Sequence, residues 1–152
     1  MISIANEQRR VPIPEADVRR VARRLLKGKS LSIAFVTDAA IRRVNRRFLG
    51  HDWATDVISF PLGTDLLGEL VISAPYARAE ARKRGISEKE ELLRYVIHGI
   101  LHLQGYDDHA PADRKRMWAR QEREVERESG IRNPEARGSR KSRIRKPGNR
   151  KT

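Results

Sequence analysis

The sequence predicts an α+β fold: one domain with a small mixed sheet of about four strands packed with about five helices. Three observations carry this expectation. Apolar residues switch between a period of two and a period near 3.6 along the chain, in a mixed order of strands and helices. A length of 152 residues with 38% hydrophobic content suffices for one core and is short for two. No internal repeat divides the chain into stacked units.

Ile2 and Ile4 mark a short first strand. From Pro14 to Leu26, the apolar side chains Val18, Val21, Ala22, Leu25 and Leu26 fall on one helical face, and Gly28 provides a stop. Leu31, Ile33 and Phe35 alternate as a half-buried strand. Asp38 then suits the N-cap of a helix whose inner positions are Ile41, Val44 and Phe48, ended by Gly50. Asp56–Phe60, stopped by Pro61, and Gly68–Ser73 are two more strands, paired as a hairpin or at an edge.

A third helix starts at Ser73 with Pro75 and runs through Arg84 to Gly85, with Ala77 and Ala81 small enough for close packing. Ser87-Glu-Lys-Glu90 is a capping box opening a fourth helix, which turns Leu93, Val96, Ile97, Ile100 and Leu101 inward. A last, strongly charged helix spans Ala112 to Ser129, with Met117, Trp118, Gln121 and Val125 as its inner stripe.

The balance of 33 basic against 20 acidic residues gives +13, and its placement is uneven. From Ile131 onward nine basic residues face the single acid Glu135, which leaves +8 on the tail and +5 on residues 1–130. Poor in apolar side chains, the segment 131–152 is expected to be a disordered basic tail that attracts nucleic acid, following a folded domain over 1–130. The absence of cysteine excludes disulfides and thiolate ligation. No apolar run approaches the roughly 20 residues of a membrane span, and the N-terminus lacks the plan of a signal peptide, so the expected compartment is the cytoplasm.

The chemistry concentrates in His98-Gly-Ile-Leu-His102-Leu-Gln-Gly105-Tyr-Asp-Asp108-His109, which holds three of the four histidines. Residues four apart share a helical face with Cβ atoms about 5–6 Å apart, so His98 and His102 can reach one ion. Two packed core histidines are the bland alternative. Gly99 opposes it, because a mid-helix glycine costs about 1 kcal/mol unless a close backbone approach requires it. Gly105 ends the helix and lets the chain return, bringing Asp108 and His109 toward the same ion.

These residues make the chain resemble the YbeY family of bacterial rRNA maturation factors and endoribonucleases. The family motif His-Gly-x-Leu-His-Leu-x-Gly-Tyr-Asp-His is matched by His98, Gly99, Leu101, His102, Leu103, Gly105, Tyr106 and Asp107. Thr55-Asp-Val-Ile-Ser-Phe-Pro61 and Gly68–Ser73 extend the likeness, which covers roughly residues 31 to 125 and leaves out the tail.

Two positions depart from the pattern. Where the family has its third metal-binding histidine this chain has Asp108, and His109 follows one step later as the alternative ligand. A carboxylate reaches Zn²⁺ at about 2.0–2.2 Å, so the implied site is one zinc held by His98, His102 and Asp108. Where the family has an arginine facing its substrate cleft this chain has Leu49, with Arg46, Arg47 and His51 nearby as substitutes.

The implied activity is metal-dependent hydrolysis of single-stranded RNA in rRNA maturation, with the small ribosomal subunit and its assembly factors as partners. His109 would serve as general acid or base if not a ligand, and Asp107 would orient a ligand imidazole or simply shape the turn. A non-catalytic, zinc-stabilised rRNA-binding assembly factor is the main rival. A metalloprotease is disfavoured, because Gly99 stands where His-Glu-x-x-His enzymes carry their general base.

Overall fold

Strands β1 (Ile2–Asn6) and β2 (Ser30–Val36) are parallel neighbours, joined through helix α1 (Glu15–Leu26). Ile2 and Ile4 stand opposite Leu31 and Ile33, so their apolar side chains share one face. The computed structural model describes residues 1–63 and 65–128. The expected domain boundary near 130 and the basic tail 131–152 lie outside the described residues.

Helix α2 (Asp38–Leu49) follows β2, and then come β3 (Val57–Pro61) and β4 (Leu66–Ser73). These two form the expected hairpin, and β4 also lies parallel to β2, giving the order β1-β2-β4-β3 with β3 at an edge. Pro61 closes the edge strand, where a missing N–H is tolerated. Helices α3 (Ala74–Arg84), α4 (Glu88–Leu103) and α5 (Pro111–Arg127) complete the fold, a four-stranded mixed sheet with five helices among the described residues.

The two faces of the sheet are unequal. Leu31, Ile33 and Phe35 of β2, Leu70 and Ile72 of β4 and Val57 of β3 point into the main core, which also receives the inner faces of α1 and α4. Val36, Ile58 and Val71 point the other way, into a smaller cluster closed by Ile41 and Val44 of α2. Helix α4 is central to the larger layer, and α1, α3 and α5 all pack against it. Gly99 lets α4 lie close on β4: a Cβ there would stand 2.6 Å from Leu70 Cδ2.

Three details of the elements differ from expectation. Thr37 caps α2, its Oγ1 accepting from Ala40 N at 3.1 Å, while Asp38 enters the first turn and accepts a 2.6 Å hydrogen bond from Ser73 Oγ. Two adjacent residues suited to capping compete, and the extended backbone of Thr37 decides between them. Phe48 is 59% exposed rather than inward, because α2 ends over the edge strand and its last aromatic meets Phe60 of β3 edge-on. Trp118 is only half-buried, and Glu124 takes its place on the inner face of α5 with Met117, Gln121 and Val125.

Candidate metal centre

Helix α4 begins where Ser87 Oγ accepts from Glu90 N at 3.0 Å, and it carries both motif histidines near its other end. Their rings lie 4.7 Å apart, inclined by 80°. His98 is buried, while His102, one turn further along, reaches the surface. The helix ends in a Schellman turn, with Tyr106 N donating to Leu101 O and Gly105 N to His102 O, both at 3.0 Å. Gly105 takes the left-handed conformation this turn needs, with φ at 101°.

The return of the chain brings Asp108 back to the histidines. Donor atoms of His98, His102 and Asp108 all lie within 4.8 Å of one another. Between His102 Nε2 and Asp108 Oδ2 the distance is 3.4 Å. Two ligands about 2.0–2.2 Å from a tetrahedral ion would be separated by about 3.3–3.6 Å, so this pair already stands at ligand spacing. His109 clusters with Asp107 and Asp108 instead and points outward, its side chain 86% exposed. Asp107 accepts from His109 N at 3.0 Å, a hydrogen bond that shapes the turn.

The tautomer of His98 follows from its surroundings. Gln121 of α5 donates Nε2 to the Glu122 carboxylate at 3.1 Å, which orients the amide. Its Oε1 therefore faces His98 and accepts from Nδ1 at 2.7 Å. With the proton on Nδ1, the lone pair lies on Nε2, the nitrogen suited to ligation. Neutral imidazoles and a carboxylate form a donor set that fits a divalent transition ion.

Behind Gln121, the Arg94 guanidinium holds Glu122 through two hydrogen bonds of 2.8 and 2.9 Å and also bonds Glu90 and Glu91 at 2.8 Å. Burial opposes its charge, but Glu122, Glu91 and Glu90 outweigh that and hold its pKa well above the ordinary arginine value. The inner stripe predicted for α5 includes Gln121, but not this role. A polar side chain within an otherwise apolar stripe was the available signal.

A cleft of about 300 Å³ opens at the site, with His102, Asp108 and His109 on one side and Leu49, Ile58 and Pro61 among its other walls. Leu49 therefore faces the cleft, as the resemblance implied for that position. Of its proposed substitutes, Arg46 lies 3.8 Å from Asp52, Arg47 sits 5.4 Å from the Phe48 ring centre, and His51 stacks on Trp53. Among the described residues no helix is long and apolar enough to cross a membrane.

Comparison with known proteins agrees with the motif. The family model described as Endoribonuclease YbeY matches residues 3–128. Endoribonuclease YbeY of Geobacter metallireducens is 40% identical over 139 residues, covering 82% of this chain and 92% of that protein. Its namesake in Anaeromyxobacter sp. is 47% identical over 106 residues, covering 66% of this chain and 55% of the longer relative. The solution structure of TM1509 from Thermotoga maritima superposes with a TM-score of 0.62 at 30% identity, covering 83% of this chain and 87% of that one. With its motif, its fold and nearly all of its described length matched, the chain belongs to the YbeY family.

Proposed function

We propose that the protein is a zinc-dependent endoribonuclease that cuts single-stranded RNA in rRNA maturation, acting on the small ribosomal subunit in the cytoplasm, with His98, His102 and Asp108 as the metal ligands. The observation that carries this reading is the convergence of two imidazoles and a carboxylate within 4.8 Å at the mouth of an open cleft. The relatives' name, Endoribonuclease YbeY, supports the reaction class.

A divalent ion with three protein ligands supplies Lewis acidity and a water activated near neutral pH. The chain's own residues do the rest. His98 is held in its ligating tautomer by Gln121. Leu49, Ile58 and Pro61 give the cleft an apolar wall opposite the proposed ligands. His109, on the cleft wall and exposed, can deliver a proton to the leaving oxygen.

The test compares cleavage of single-stranded RNA by the wild type and by His102→Ala at equal RNA occupancy. Loss of cleavage in the variant and in chelator-treated wild type is expected, with recovery of the wild type on adding zinc. Equal cleavage by both proteins would remove the metal from the mechanism. The rival reading, a non-catalytic zinc-stabilised assembly factor, draws on Leu49, which offers the cleft no phosphate contact. Zinc-dependent folding and RNA binding without any cleavage would favour it.

A further inference from the structure

Beside the cleft, the end of α2 and the loop after it present an aromatic and basic surface. Phe48 is 59% and Trp53 42% exposed. His51 stacks on the Trp53 indole, ring centres 4.6 Å apart and inclined by 26°. Between them in sequence, Leu49 is itself a wall of the cleft, so the surface continues the site described above. Exposed aromatic rings normally carry a cost, and here they are grouped over six consecutive residues.

The backbone under these rings is fixed. Buried Asn45 donates Nδ2 to Trp53 O at 3.0 Å. Asp52 accepts from Arg42 Nε and Nη2 at 2.9 and 3.2 Å, tying the loop back to the helix. The indole therefore stands on a preorganised support, which lowers the entropic cost of binding against it. Around it the charge is positive: over residues 42–53, Arg42, Arg43, Arg46 and Arg47 stand against the single acid Asp52.

We infer that Phe48, His51 and Trp53 form a base-stacking subsite for unpaired bases of an RNA strand whose scissile bond lies in the adjoining cleft, with Arg43, Arg46 and Arg47 of α2 holding its phosphates. This rests on the reading of the substrate as single-stranded RNA. Ring faces suit bases of any sequence, whereas a duplex hides its base faces within the stack. Two copies of this surface placed together would oppose the same positive charge, which disfavours self-association through it.

The test uses the full chain carrying Trp118→Phe, so that Trp53 is the remaining indole. In the zinc-loaded state, over a time within which the strand stays intact, it is titrated with a twelve-residue oligoadenylate and with an abasic strand of equal length and charge. Saturable quenching of Trp53 emission by the oligoadenylate alone is expected. Read by the fluorescence anisotropy of end-labelled strands, Trp53→Ala should weaken oligoadenylate binding about tenfold and leave the abasic strand unaffected. His51→Ala, at an exposed position, should weaken it in the same sense. Equal affinity for the two strands, or no loss in either alanine variant, would overturn the inference. So would concentration-dependent dimerisation abolished by Trp53→Ala, which assigns the surface to a second copy. Because no cleavage is measured, stacking without nuclease activity would retain this subsite and reject only the proposed reaction.

Discussion

At the scale of single residues, His98 is placed by a chain of contacts rather than by its helix alone. Arg94 grips Glu122, Glu122 orients Gln121, and Gln121 sets the proton on the imidazole. Outer partners of this kind are commonly worth 10–100-fold in metal affinity. Gln121→Leu keeps the bulk and removes the acceptor, so zinc affinity should fall about 10–100-fold in chelator competition, with the circular dichroism spectrum unchanged. The two histidines were legible because their spacing is local, four residues on one helix. Gln121 was not, because it contacts His98 from 23 positions away and depends on how α5 lies across α4. Asp108 lay between these cases: the motif marked its position, and only the Schellman turn shows how it returns to the ring of His102.

At the scale of elements, α1 and α5 are clamped by charge. Arg24 bonds Glu124 at 2.8 Å and also Glu128, Arg20 bonds Glu128 at 2.8 Å, and Arg120 bonds Glu124 at 2.9 Å. Burial raises the pKa of Glu124, but hydrogen bonds from Arg24 and Arg120 outweigh it and leave the carboxyl below its ordinary value. A carboxylate with a depressed folded pKa contributes stability above its unfolded value of about 4.3, and that contribution is lost as pH falls through the folded value. Melting temperature should therefore fall as pH drops from 5 toward 3. Glu124→Gln should melt lower at pH 7 and show a shallower decline over the acid range. Identical slopes would show that Glu124 contributes nothing to the acid response. Periodicity identified α5 as a helix, yet it left out Glu124, since an acid on an inner stripe is legible only once its arginine partners are in place. For α2 the apolar pattern gave the helix, while the choice of Thr37 as cap and the exposure of Phe48 depended on tertiary neighbours.

At the scale of the whole molecule, the proposed ligands come from α4 and from the chain after its turn, so binding should stabilise the fold as a unit. Zinc at about 100 times its dissociation constant should add about 2.7 kcal/mol, read as a rise in melting temperature that His102→Ala abolishes. Truncation after Gly130 removes +8 of the +13 and should flatten the dependence of RNA affinity on salt. An unchanged slope would place the phosphate contacts on residues 1–130. The sheet order β1-β2-β4-β3 could not be read from local pattern, because parallel pairing joins segments far apart in sequence, whereas the β3–β4 hairpin could. One feature of α4 reaches beyond its packing. Its sixteen residues end at the proposed metal site, so the negative pole of the helix macrodipole and the Asp108 carboxylate act there together. That field favours a cation there and opposes an unaccompanied phosphate, so the scissile phosphodiester should bind more weakly when the proposed metal is absent.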